Sequence, residues 1–214
     1  MRQLAIAFWI VALVPGLTLA QGDCFDCVLG LWEDPALTVD RGTIQPNELK
    51  DIYLGIKLDG TADKLVGVEF SVAGLSLSDG LILVGAVPLG PRALVWGTVP
   101  APADTSVRST GDGGVTVAWS SCLSGTQALM KLTVFTTSPV VDKVLVVKRS
   151  YPPTDPGLGT PLMFSCDPPV YTARRVTGGC YVLNWSGSPV PCVNSHSVMA
   201  VQNETWGAVK TMFR

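Results

Sequence analysis

The chain has 214 residues, with 15 Lys or Arg, 17 Asp or Glu and a single His, for a formal charge of −2 at neutral pH. Charged residues make up only 15% of it, and the basic pairs Lys148-Arg149 and Arg174-Arg175 stand isolated, which excludes an electrostatic nucleic-acid binder. An apolar share of 47%, with Gly and Pro scattered at turn positions, excludes a disordered polymer and points to a packed body.

Residues 1–20 read as a secretion signal that is removed. Arg2 is the positive start, Leu4 to Val14 is the apolar run, and Pro15-Gly16 breaks it. Thr18 and Ala20 then offer small side chains to a signal peptidase. The run is too short to remain as a membrane anchor. Cleavage after Ala20 leaves 194 residues and no membrane span. That length suits one domain over 21–202, followed by a tail over 203–214. The expected location is secreted, whether periplasmic, extracellular or on the cell surface.

All six cysteines (Cys24, Cys27, Cys122, Cys166, Cys180 and Cys192) follow the cleavage site, so three disulfides are expected. Six cysteines allow fifteen pairings; locality favours 24–27 and 180–192, which leaves 122–166. The loop-closure model assigns about 4 kcal/mol to the 122–166 bridge and about 3 kcal/mol to 180–192.

From residue 50 onward the dominant period is two. Ile52, Leu54, Ile56 and Leu58 alternate with more polar positions, and so do Val66, Val68, Phe70 and Val72 after the turn at 59–63. Leu81 to Val87 is a continuous apolar strand closed by Pro88, and Ala93 to Trp96 a short one. Gly111-Asp112-Gly113-Gly114 turns the chain into the alternating strand Val115 to Trp119. Strands over 129–136, 140–148, 170–176 and 180–185 complete the series, with a Pro-rich loop from Tyr151 to Gly159. Eight or nine short strands with no helix between them predict an all-β, antiparallel two-sheet sandwich of immunoglobulin-like form. Ile52, Ile56, Val68, Phe70, Val117, Leu132, Val134 and Val182 are expected to point inward.

The one helical pattern lies at the end. Trp206, Val209 and Phe213 share a face, Glu204 opens the segment, and Lys210 and Arg214 close it as the helix dipole prefers. A short amphipathic helix over 203–214 is predicted. The eleven residues Glu204 to Arg214 are marginal alone, so this tail needs a surface to dock on, on its own domain or on something else. Trp206, Val209, Lys210 and Phe213 are candidate interaction residues.

Several stretches carry a family likeness. They are Gly30-Leu31-Trp32-Glu33-Asp34-Pro35-Ala36, Val115 to Cys122, Tyr151-Pro152-Pro153-Thr154-Asp155-Pro156, Ser165-Cys166-Asp167-Pro168-Pro169, Thr177-Gly178-Gly179 and the tail's Trp206-Gly207-Ala208-Val209-Lys210. Over most of its mature length the chain resembles a group of uncharacterised secreted bacterial proteins, known from environmental sequences. In the first stretch the likeness implies that group's first strand. Its general form is also similar to the cohesin-type sandwich of scaffold proteins. The first resemblance implies no activity. The second implies an interaction module.

Patterns for chemistry are thin. Cys24-Phe25-Asp26-Cys27 has redox spacing but lacks the strand-then-helix setting that lowers a thiol pKa, so it reads as a structural bridge. His196, the only histidine, lies in a linker without a nucleophile elbow, which leaves no Ser-His-Asp hydrolase and no transition-metal site to build. Asp59, Asp63, Asp79, Asp104 and Asp112 sit in turns and read as solvated residues, with calcium as the alternative. Nothing brings two of Glu33, Glu48 and Glu69 together as a glycosidase pair would require. Trp96, Trp119 and Trp185 end strands, and core packing is favoured over a sugar platform. The reading is a non-catalytic structural or protein-interaction module without a cofactor, whose partner is a protein or a cell-surface component. The alternative is a carbohydrate-binding module with a glycan as partner.

Overall fold

The computed structural model describes residues 24, 27–58, 64–75, 80–90, 92–98, 114–150, 160–166 and 173–189. The signal, the loop 151–159, His196, Cys192, the tail 203–214 and all five turn aspartates named above lie outside them. Among the described residues there is no helix, and thirteen strands follow one another. They are β1 (Val28–Trp32), β2 (Arg41–Gly42), β3 (Leu49–Lys57), β4 (Lys64–Ala73), β5 (Leu81–Pro88), β6 (Ala93–Thr98), β7 (Gly114–Ser124), β8 (Gln127–Thr136), β9 (Lys143–Lys148), β10 (Leu162–Ser165), β11 (Ala173–Arg175), β12 (Thr177–Gly178) and β13 (Cys180–Leu183).

They form two sheets. One has the order β12-β1-β3-β8-β5; the other runs β11-β10-β4-β9-β13-β2, with β7 also paired to β4 and β6 paired to β7. Pairing is antiparallel except at two short places, where β12 lies parallel to β1 and β2 parallel to β13. The sandwich core is the period-two pattern made solid: Ile52, Ile56, Val68, Phe70, Val117, Leu132 and Val134 are all buried in it. Val182, expected to point inward, is buried on the other face of β13, because its neighbours Tyr181 and Leu183 are the ones that enter the core and Val182 pairs with Val144 instead. In β7 the buried positions are Val115, Val117 and Trp119, every second residue, as a strand with one face inward requires.

Several boundaries differ from the sequence reading, each for a local reason. Val140–Asp142 does not extend β9, because Asp142 takes a positive φ of 49° and its N–H is held by Asn184 O at 3.2 Å. The last strand stops at Leu183, since Asn184 is at φ 52°. The first strand stops at Trp32. There Asp34 folds the chain back, its carboxylate accepting from Thr38 N (2.8 Å) and Thr38 Oγ1 (2.5 Å). That fold drops Leu37 onto Gly55, where any side chain would overlap it, and beside Trp32 and Val28 in a small second core on the outer sheet face. The short strands β2, β10 and β12 carry too few alternations to stand out in sequence.

β4 is buried on both faces rather than one. Glu69 is 2% and Ser71 3% exposed although both alternate with the core residues. Ser150 Oγ donates to Glu69 Oε1 at 2.5 Å and Ser71 Oγ to Arg149 O at 2.7 Å, so the segment after β9 covers this outer face.

At one end the sheets are tied by a polar contact. The Tyr181 hydroxyl, on β13, donates to Glu33 Oε2, and Lys50 Nζ on β3 donates to Glu33 Oε1 at 2.5 Å. Gly42 lies against this contact; a methyl there would overlap both Glu33 and Tyr181. Burial, then the hydrogen bond to Glu33 and its charge, push the Tyr181 pKa far above the ordinary value. Ionisation in the unfolded chain near pH 10, while the folded protein still holds the proton, makes the contribution of Tyr181 to stability flat below pH 10 and falling above it. In an absorbance titration of the tyrosinates, Tyr181 should ionise only as the protein unfolds, and Tyr181→Phe should remove that step. A Tyr181 that ionises near pH 10 with the fold intact would contradict the burial.

Candidate interaction surface

Two disulfides lie wholly within the described residues, Cys24–Cys27 and Cys122–Cys166. Cys180 is also disulfide-bonded, to a cysteine outside them. Cys24 and Cys27 are buried, and Cys24 N–H is bound by Arg175 O at 3.1 Å, so the pair staples the chain start to β11. A redox pair needs an accessible thiolate, which this setting withholds. Cys122, at the end of β7, is exposed.

The three candidate glutamates are kept apart by their own partners. Glu33 is engaged by Lys50 and Tyr181; Glu48 Oε2 accepts from Gln45 N at 2.6 Å in the turn before β3; Glu69 lies under Ser150. Among the described residues no group of three or more His, Cys, Asp or Glu is placed to hold a metal ion. What the geometry offers is surface, and the sheet edges differ sharply from one another.

An open strand edge invites pairing with another chain, and proteins blunt it by shortness, charge, proline or a bulge. β2 and β12 are two residues long, and β11 contains Arg174 and Arg175. β5 is broken by a bulge between Leu83 and Gly85 and ends in Pro88. β6 has none of these devices. Its six residues, Ala93-Leu94-Val95-Trp96-Gly97-Thr98, hold no charge and no proline, and among the described residues they pair with β7 alone. Leu94 is 59% and Val95 43% exposed. Leu94 lies opposite Ala118 on the outer face, Val95 opposite the core residue Val117 on the inner one. The strand is anchored at its start, where Trp119 Nε1 donates to Leu89 O at 2.7 Å and fixes the corner leading from β5 into β6.

The strand-end tryptophans separate. Trp119 is core, and Trp32 is buried beneath Lys57, whose ammonium sits 5.3 Å from the ring centre. The side chain of Trp96 lies outside the described set. Trp185, just past β13, is 45% exposed. The Arg41 guanidinium carbon stands 4.3 Å from its ring centre, and its Nε1 donates to Ser188 O at 2.6 Å. The turn beneath it is braced by Asn184, whose side chain binds Ile44 N (2.9 Å), Ile44 O (2.8 Å) and Val140 O (2.8 Å). Beside it Asp142 accepts from Ser186 Oγ (2.6 Å) and Ser186 N (2.7 Å), bonds that lower its pKa.

No family profile and no curated protein matches the chain. Among solved structures it is similar to cohesin modules. One, from a family 33 glycoside hydrolase of Clostridium perfringens, is 13% identical, with 74% of this chain and 98% of that one aligned at a TM-score of 0.44. A non-cellulosomal cohesin from Archaeoglobus fulgidus is 9% identical over 74% of this chain and 91% of its own, TM-score 0.44. A type I cohesin–dockerin complex from Clostridium thermocellum gives 10% identity, 78% and 98% coverage and a TM-score of 0.47.

Proposed function

We propose that the chain is a secreted, non-catalytic protein-interaction module that receives an extended segment of its partner along β6. The observation that carries this reading is the contrast among the sheet edges: β6 is the uncharged, proline-free edge, with Leu94 and Val95 open to solvent. Strand addition uses the free N–H and C=O groups for affinity and the flanking side chains for selectivity. The tail, with Trp206, Val209, Lys210 and Phe213, is proposed as the handle that holds the module at its site of action.

Leu94→Lys places a charge on the edge at a solvent-facing position, where the cost in stability should stay within about 0.5 kcal/mol. Mature protein immobilised and exposed to the envelope fraction of its host should retain a defined partner, and the variant should lose it at unchanged melting temperature. Equal retention by both forms would remove β6 from the interface. Deletion of 203–214 is expected to leave the domain folded and to displace it from its compartment or partner. A truncated protein that is less stable yet correctly located would make the tail a packing element instead.

A further inference from the structure

We propose that Trp185 is a carbohydrate-stacking platform, taking the apolar C–H face of a pyranose from a neutral polysaccharide. The site is distinct from the proposed β6 interface, with β7, β4 and β9 lying between β6 and β13 in the sheet. Among the aromatic residues whose side chains are described, Trp185 is the exposed one, at 45%, and its position is fixed on several sides. An indole at a surface ordinarily lowers its cost by folding down onto apolar neighbours. Here the Ser188 carbonyl holds Nε1, Arg41 stacks on the ring, and the Asn184 side chain fixes the turn from which the ring projects.

The surroundings choose the class of ligand. Asp142, Ser186 and Ser188 form a chain of hydroxyls and carboxylate around the turn, with Ser186 Oγ 2.6 Å from Asp142 Oδ2 and 3.1 Å from Ser188 Oγ. Arg41 and Asp40 lie on the other strand of the corner, joined at 3.3 Å. An exposed indole with a guanidinium over one face, held on a turn that carries the hydroxyls of Ser186 and Ser188 and the Asp142 carboxylate, matches a ligand that is apolar on its faces and hydroxylated at its rim, which describes a pyranose. A cationic ligand meets the Arg41 guanidinium already at the ring. A purely apolar peptide would leave the polar rim unpaired. Anionic nucleic acid meets Asp40 and Asp142 in a chain of net negative charge.

The test is native affinity electrophoresis of the mature protein in gels containing hydroxyethylcellulose, xylan, laminarin or glycol chitin. Calorimetry with the hexasaccharide of whichever glycan retards it follows. Retardation by at least one glycan is expected. Trp185→Ala should weaken the measured affinity by roughly tenfold or more, as loss of one ring's stacking implies, while Trp185→Tyr should keep part of it. Leu94→Lys should bind as the parent does, which separates this site from β6. No retardation in any gel, or equal retardation of parent and Trp185→Ala, would overturn the assignment; so would loss in Trp185→Tyr as complete as in Trp185→Ala, because stacking tolerates that exchange.

Discussion

Replacement of Cys122 and Cys166 together by Ala should lower the unfolding free energy by about 4 kcal/mol on the loop-closure model, since the bridge closes a separation of 44 residues. The placement suits that role. β7 and β10 pair with β4 on its two sides, and Cys166 N–H is held by Lys64 O at 3.3 Å, so the bridge clips together the strands that flank the start of β4. Guanidinium unfolding of parent and double variant, fitted with a common slope, measures the loss. Because Cys122 is exposed, although Cys166 is buried, whereas both Cys24 and Cys27 are buried, mild reductant should open 122–166 before 24–27 and reproduce most of the destabilisation. A double variant within about 1 kcal/mol of the parent would mean that the unfolded chain is already compact there.

Phe70→Ala is expected to cost about 3–5 kcal/mol, the range for removing a fully buried aromatic ring. Phe70 is inaccessible, sits opposite Val115 and belongs to the same buried cluster as Val68, Val117 and Leu145. Set against a total stability of roughly 5–15 kcal/mol, the loss should bring the midpoint close to the working temperature. Phe70→Leu should recover much of it. An Ala variant that melts within a few degrees of the parent would show that the core collapses to fill the space.

The inward residues were legible because a half-buried strand writes its orientation into every second position. Ile52 and Ile56 on β3, or Val115 and Val117 on β7, can be read without knowing their neighbours. What alternation cannot show is the company a strand keeps. Glu69 reads as an outward residue and is buried, because the segment at Arg149 and Ser150 folds over β4. Leu37 falls in no predicted strand and becomes a core residue, because Gly55 leaves a hollow on a distant strand. The candidate surfaces divide in the same way. The composition of β6 could be read directly, but its position at an edge comes only from the topology. Trp185 was visible as a strand-end tryptophan, yet its setting depends on Arg41, 144 positions earlier.

The two parallel pairings have a kinetic meaning. β1 finds β12, beginning with Val28 against Thr177, and β2 finds β13, Arg41 against Val182. Backbone bonds reinforce both joins, from Thr177 N to Cys27 O at 2.9 Å and from Asn184 N to Gly42 O at 2.8 Å. Each end of the domain is therefore completed only by the other, and closing so long a loop must precede the reward. A nascent chain halted before residue 177 would carry β1 with one side bare and β9 without β13, however well its hairpins had formed. Until those last residues are present, the joins that complete both sheets are missing, and the stability they bring is withheld from the rest of the chain.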